Sequence, residues 1–319
     1  MKMKLTISPI IMISAVCLFL SGCATTIRVP VTRPAEINLR GINKIAIGEI
    51  KGRGGQVVAD SLSSRLFETQ KFEVVDREHL EQILKEQKLS TSGLVNEKNA
   101  VKLGKVVGAA VLVFGNNSLM KYDQTKLVDK PWRDKDGVTH QTHYIKGIAK
   151  LTTTLQLVGL STGKILAAKT ISKTAEQTTS ADNGWPEEPD SDALTSSTVS
   201  DVVNTFIKMI APYSDYESVT FAKTDSDLPE LERCENYAKM GRWNDAIDQA
   251  KIATQKKPTH VGAWWDLGIS YQFNYMFKEA ETAFNEAYKI EPDAKYLRQV
   301  SEVKRLAAER KKLNDQGAL

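Results

Sequence analysis

The residue with the clearest chemistry is Cys23. It closes the word Leu20-Ser21-Gly22-Cys23, which follows Lys2 and Lys4 and an apolar run from Leu5 to Leu20 interrupted only by small hydroxyls and Pro9. A charged start, an apolar core and small residues at the cut are the marks of a secretory signal peptide. Here the cut, between Gly22 and Cys23, precedes a cysteine. The word resembles the bacterial lipobox, in which the thiol takes a diacylglyceryl group and becomes an acylated N-terminus. Cys23 is thus the expected lipid attachment residue. Two or more acyl chains hold a protein stably on a membrane without a spanning helix. Ala24 stands where some bacteria use Asp to retain lipoproteins at the inner membrane, so outer-membrane sorting is expected.

Other candidates are weaker. His140 and His143 are spaced H-x-x-H, but two ligands without a third partner do not make a metal site. The acidic stretch 182–192 (Asp182, Glu187, Glu188, Asp190, Asp192) lacks the EF-hand ligand order and its glycine, and it reads as a solvated loop. Lys51–Gln56 (KGRGGQ) is glycine-rich, yet no Lys–Ser/Thr follows its last glycine as a phosphate loop requires. It reads as a turn. Of the three cysteines, Cys17 leaves with the signal peptide and Cys23 is consumed by lipid. Cys234 then has no disulfide partner and reads as a small buried residue in a helix. No nucleophile motif and no paired carboxylates appear. The chain is read as a non-enzyme with no cofactor and no metal.

The chain has 319 residues, enough for about two domains. Its net charge of +4 falls to +2 when Lys2 and Lys4 are removed, and no basic cluster carries interleaved aromatics. Nucleic acid is therefore not an expected partner.

The elements that must position any site are legible in several places. Residues 23–40 carry Pro30 and Pro34 without periodicity and read as an extended tether. Ile45 and Ile47 alternate with Ala46 and Gly48 in a short strand. After Gly54–Gly55, the residues Val57, Val58, Leu62, Leu66 and Phe67 recur at helical spacing. Lys71–Asp76 suits a strand. Asp76 is placed to cap a helix with Leu80, Ile83 and Leu84 on one face. A further helix carries Ala100, Leu103, Val106 and Val107 and ends at Gly108. The apolar run Ala109–Gly115 reads as a deeply buried strand. Gly147–Gly159 alternates, with Ala149, Leu151, Thr153, Leu155 and Leu157 on one face. Ser161–Lys164 then turns the chain into a returning strand, Ile165–Ser172. Val199–Ile210 is helical, with Asp201 in its first turn, and Pro212 ends it.

The stretch from Val58 to Asn116 resembles the conserved block of the CsgG family, the curli production assembly/transport component. The resemblance rests on the VVDR turn at Val74–Arg77, the ILKEQ helix at Ile83–Gln87, the turn at Ser92–Gly93, and Leu103-Gly104-Lys105 with Gly108-Ala109 leading into the buried strand. The Ser161–Lys164 turn is similar as well. The resemblance implies an α/β (α+β) sheet-and-helix domain over 41–213, homo-oligomerisation, and a role in assembly or export of a surface structure. It also leaves open a second reading, a periplasmic activator of a cell-wall synthase.

In a pore-forming member, two segments of this sheet extend as transmembrane hairpins. Their counterparts here are 118–146 and 174–197. The first carries Lys121, Asp123, Lys126, Asp129, Lys130, Arg133, Asp134, Lys135 and Asp136. The second carries Asp182, Glu187, Glu188, Asp190 and Asp192 with Pro186 and Pro189. Neither gives a clean apolar face, and the second reads as a solvated loop.

After the polar stretch 214–226, read as a linker, the period changes. Residues 227–260 align on 261–294 at an offset of 34, the tetratricopeptide repeat length. Tyr237 falls on Tyr271, Ala246 on Ala280, Ala253 on Ala287, and Pro258 on Pro292. The second repeat adds Trp264, Leu267, Gly268 and Phe284. The first is degenerate at Arg233 and Cys234. Leu297, Val300, Val303 and Leu306 make 295–319 a capping helix. Such repeats offer a concave surface to a protein or peptide partner. The expectation for the whole chain is an outer-membrane, periplasm-facing lipoprotein. It would be held by acyl chains, assemble through its α/β domain and recruit a partner through an all-α repeat domain.

Overall fold

The computed structural model describes residues 25–75, 80, 82, 97–107 and 111–318. In chain order the described elements are β1 (Thr26–Arg33), β2 (Lys44–Lys51), α1 (Gly55–Glu68), β3 (Glu73–Val75), α2 (Glu97–Val107), β4 (Val111–Val128), β5 (Trp132–Arg133), β6 (Thr139–His140), β7 (Thr142–Gly159), β8 (Lys164–Asp182), α3 (Ser191–Ile210) and β9 (Tyr213–Thr220). They are followed by five helices: α4 (Glu230–Lys239), α5 (Trp243–Lys256), α6 (Val261–Phe273), α7 (Phe277–Ile290) and α8 (Ala294–Asp315). An α/β sheet-and-helix domain thus precedes an all-α region. Contacts divide the chain into two units: one holds the residues up to Val31 and Tyr216–Ala308, the other Thr32–Asp215 and Glu309–Leu319.

In the α/β unit a five-stranded sheet runs β3-β2-β4-β7-β8. β2 is parallel to β3 and β4, and β4, β7 and β8 are mutually antiparallel. Ile45, Ala46 and Ile47 are all fully buried, as expected of a parallel strand covered on both faces. One face packs against α1 and α3 through Leu62, Leu66, Val202, Val203 and Phe206, with Leu151, Leu155 and Leu157 of β7 beneath. On the other face Leu80, Leu103 and Leu160 cover Ala46 and Leu112. Leu80 is helical, whereas the Asp76 cap, Ile83, Leu84 and Gly108 fall outside the described residues.

The alternation in β7 holds: Ala149, Leu151, Thr153, Leu155 and Leu157 are all buried. The apolar stripe of α1 is narrower than expected. Val58, Ala59, Leu62 and Leu66 are buried, but Val57 is 52% and Phe67 75% exposed. At about 100° per residue both lie well over 90° from the centre of that stripe. Gly55 lets the helix start against β2, since a Cβ there would collide with the carbonyl oxygen of Ile50.

Three expectations need correction. First, Thr26–Arg33, inside the stretch read as a tether, is a strand that pairs with β9. Ala35 and Gln316 also exchange two backbone to side-chain hydrogen bonds, at 3.0 and 2.8 Å. Second, the segment 174–197, read as a solvated loop, is strand as far as Asp182, and the charged segment 118–146 is also largely strand. β4 pairs with β7 from Val111–Gly159 out to Val128–His143, and β8 follows β7 as far as Asp182. The polar residues are tolerated because they meet partners across strands, as in Lys146–Glu176 at 2.7 Å. Third, α3 begins at Ser191, eight residues before the expected start, capped by Asp190. Its carboxylate accepts the N–H groups of Asp192 and Ala193. Leu194 and Thr198 carry the buried stripe back into this Ser/Thr-rich turn.

Candidate interaction surfaces

Gly22 and Cys23, the expected cleavage and lipid attachment residues, lie outside the described residues. Three surfaces within the described residues bear on function.

The first is the inner face of the helical unit. Its helices pair as α4 with α5 and α6 with α7, and α5 and α7 begin 34 residues apart. Ala246, Ala253, Ala280, Phe284 and Ala287 are buried between the helices, and Leu267 is 4% exposed. Gly268 sits against the Phe284 ring, where a Cβ would come within 2.6 Å of a ring carbon. Tyr237, Trp264 and Tyr271 are partly buried against the same core. The Trp264 ring N–H donates to the carbonyl of Pro258 at 2.8 Å, closing the turn between α5 and α6. Pro292 lies just past the C-cap of α7. Val303 of α8 is buried in this core, whereas Leu297 is 44% exposed.

The face expected to receive a partner is filled by this chain. Val29 of β1, Val219 of β9 and Phe221 are buried in one cluster with Cys234, Ala238, Ile269, Phe273 and Val303 of α4, α6 and α8. The Trp265 ring N–H donates to Thr220 O at 2.8 Å, Ala222 N–H donates to Asp266 Oδ1 at 2.8 Å, and Phe221 N–H donates to Thr25 O at 3.0 Å. A cleft of about 520 Å³ remains beside β1, walled by Ile27, Val29, Ala238, Met240 and Trp243. Sequence reasoning missed this ribbon. Its signal was the alternation of Ile27, Val29 and Val31 with Arg28, Pro30 and Thr32, hidden by the prolines.

Two buried ionisable groups sit behind the ribbon. Asp266 is fully buried, its Oδ2 has no hydrogen-bond partner among the described residues, and burial pushes its carboxyl up to about 8, with nearby Glu235 adding to the shift. Burial likewise pushes the Cys234 thiol up to about 12, and its Sγ lies 3.4 Å from Ser270 Oγ. Such a thiol is not a nucleophile at neutral pH.

The second surface is the far end of the β4–β7–β8 hairpins. The two histidines are kept apart in role. His140 stacks on Trp132 at 4.6 Å and its Nε2 meets Asp134 Oδ2 at 2.8 Å. This bond, with the N–H groups of Val138 and Asp136, holds the Asp134 carboxyl below its usual range. His143 instead sits edge-on to Trp185 at 4.9 Å, with Nδ1 bonded to Gln141 O. Among the described residues no three His, Cys, Asp or Glu side chains are grouped to hold a metal. The acidic stretch after β8 folds back onto the sheet and is not wholly solvated. Pro189 is buried, Tyr122 Oη–H donates to Pro189 O at 3.3 Å, and Thr179 Oγ1–H donates to Glu187 O at 2.6 Å. The KGRGGQ turn is braced structurally: Asn117 Nδ2–H donates to Arg53 O at 3.0 Å, and Asn117 Oδ1 accepts from Thr153 Oγ1–H at 2.7 Å.

The third surface is the sheet edge. Among the described residues β8 is one of the two edge strands of the five-stranded sheet, and it is 19 residues long. Its outer face, including Ala168, Thr170, Ser172 and Thr174, is exposed. The hydroxyl pairs Thr152–Ser172 and Thr154–Thr170 run across it at 3.0 and 2.9 Å.

Comparison with curated proteins gave no match. Among solved structures, the chain is similar to a PelC L103M dodecamer from Paraburkholderia phytofirmans, at 13% identity over 59% of this chain and 99% of that one, with a TM-score of 0.32. It is similar to lipoprotein GNA1162 from Neisseria meningitidis, at 14% identity over 51% of this chain and 97% of that one, TM-score 0.31. It is also similar to the LpoB C-terminal domain from Salmonella enterica, at 13% identity over 42% of this chain and 84% of that one, TM-score 0.27. The family model described as "Curli production assembly/transport component CsgG" matches residues 43–184, the segment that runs from β2 to the end of β8. Residues 43–184 therefore form a domain of the CsgG family.

Proposed function

We propose that the chain is an outer-membrane-anchored periplasmic lipoprotein of the CsgG type. In this reading it serves the assembly or export of a surface structure, with acyl chains on Cys23, self-association through the α/β domain and partner recruitment by tetratricopeptide-like helical pairs. The observation that carries the reading is the family match over 43–184, a family described as a curli production assembly/transport component. The 19-residue edge strand β8 supports self-association. An uncovered edge presents unpaired N–H and C=O groups to a second chain.

A membrane-spanning barrel is not part of this proposal. The strands are long enough, since a spanning strand needs about 9–11 residues. Yet one face of the hairpins carries Lys121, Asp123, Lys146 and Glu176, and the other carries Gln124, Lys126 and Gln177. Each Lys or Arg on a lipid-facing midplane costs about 2–4 kcal/mol. Recruitment through the repeats does not use their inner face as it stands, because β1 and β9 fill it. The cleft beside Met240 and Trp243 and the outer helices α5 and α7 are the surfaces left for a partner.

The cell-wall-synthase activator ranks second because it requires reach. With β1 starting at Thr26, the span between Cys23 and folded structure is about 10 Å at roughly 3.5 Å per residue. The tether read from sequence, with residues 24–40 beyond Cys23, would have offered about 60 Å.

Negative-stain imaging of the full-length lipidated protein in detergent tests the first reading. Rings or other closed oligomers are expected. Monodisperse monomers at micromolar concentration would leave the assembly reading without its mechanism.

A further inference from the structure

We infer that the helical unit is apposed to the lipid surface, with the end that carries Thr25 and the start of α6 lying against the headgroups. The inference rests on acylation of Cys23, proposed above, and on the fixing of Thr25 to this unit. Thr25 is fixed to this unit. Its carbonyl accepts Phe221 N–H at 3.0 Å, and the next residue joins hydroxyls with Thr220 at 2.9 Å. Val29, four residues further on, is 6% exposed in the core shared with α4 and α6. Two residue steps separate Thr25 from Cys23, at most about 7 Å of chain. Whatever plane holds the acyl chains must therefore pass within about 10 Å of Thr25.

The surface around that point is identifiable. Phe221 leads into Ala222, whose Cβ abuts the position of Gly262 in the first turn of α6, beside His260. Lys223 is exposed at the same place. α6 then runs away from it for 13 residues, about 20 Å at 1.5 Å per residue. Asn274, the residue just past its C-terminus, marks the opposite end, with exposed Lys278 at the start of α7.

Charge does not set this contact. Lys257 pairs with Asp225 and Asp227 at 3.0 and 3.7 Å, His260 lies 3.6 Å from Asp225, and Lys256 pairs with Glu230 at 2.7 Å. Lys256, Lys257 and His260 are thus paired within the protein, and a lone exposed Lys223 is far from the cluster of basic residues that draws a protein to anionic lipid. The covalent anchor alone holds it there. The proximity should survive in zwitterionic bilayers and at high salt, where polybasic attraction fails.

The test uses the full-length lipidated protein reconstituted in phosphatidylcholine vesicles. A fluorophore is placed at K223C or at K278C, both exposed positions, while buried Cys234 takes no label. Headgroup nitroxide lipids act as quencher. At least about twofold stronger quenching at 223 than at 278 is expected, unchanged in 0.5 M salt, where a Debye length of only about 4 Å screens exposed charges. Equal or reversed quenching in protein shown by mass spectrometry to carry acylated Cys23 overturns this inference and leaves the lipid anchor standing. An unacylated Cys23 in the same spectrum overturns both.

Discussion

At the residue scale, Asp266 is the group whose environment departs furthest from its chemistry. Its carboxyl is raised from 3.8 to about 8 by burial, and one oxygen has no hydrogen-bond partner among the described residues. An acid whose folded value lies above its unfolded value binds more protons in the folded state between the two. Its contribution to stability is fully present below about 4 and is lost as pH rises through about 8. The melting temperature of the native chain should thus fall from pH 5 to pH 8. Asp266→Asn keeps an acceptor for Ala222 N–H and removes the titration, so it should flatten that slope and raise stability at pH 8 by at least about 1 kcal/mol. Thermal melts of both proteins at three pH values check this, and parallel slopes would refute it. Gly268 gives a packing prediction of opposite sign. Gly268→Ala puts a methyl against the fully buried Phe284 ring. Overpacking of this kind costs about 1–3 kcal/mol, readable as a lower urea midpoint with an unchanged slope.

At the element scale, the unexpected first turns of α3 depend on Asp190. Removing such a cap costs about 0.5–2 kcal/mol. Asp190→Ala should lower the melting temperature and speed amide exchange at Asp192 and Ala193, while Asp190→Asn should do neither. The edge strand β8 makes a prediction about association. Ala168 and Thr170 are exposed and face Gln156 and Thr154 of β7. Lysines on an edge strand are a natural block to strand addition. The double variant A168K/T170K should reduce the oligomer mass seen by light scattering while its thermal melt moves by less than about 1 kcal/mol, as exposed substitutions do. An unchanged oligomer would place self-association elsewhere.

At the scale of the whole molecule, β1 makes the residues beside the proposed anchor part of the helical unit's core. Removing residues 25–31 uncovers Val219 and Phe221 and leaves β9 unpaired. The shortened protein should bind more of a hydrophobic dye and be cleaved faster within 216–308 than the intact chain. Equal cleavage would mean that the helices hold their core without the ribbon. The same pairing separates the two functional readings. If Cys23 carries the proposed anchor, the pairing of β1 from Thr26 leaves little reach from the membrane, which favours the first reading over the second.

The sequence by itself determined whatever depends on local period and short spacing. The buried alternation of β7, the helical stripe of α1 and the 34-residue offset of the helical pairs are each written in neighbouring residues, and so is the family block around Leu103–Gly115. The proposed acylation site, Cys23, likewise rests on a short word and not on a fold. Tertiary structure decided what depends on partners far apart in the chain. Ile27, Val29 and Val31 form a strand because β9, almost two hundred residues later, pairs with them, and α4 and α6 bury them. The charged segments 118–128 and 174–182 are strands because β7 lies between them and supplies cross-strand partners. Phe67 is outside because the stripe beside it already satisfies the sheet. Asp266 looks like an ordinary helical carboxylate until β9 and Ala222 close over it, since burial, unlike period, is a property of the packed whole.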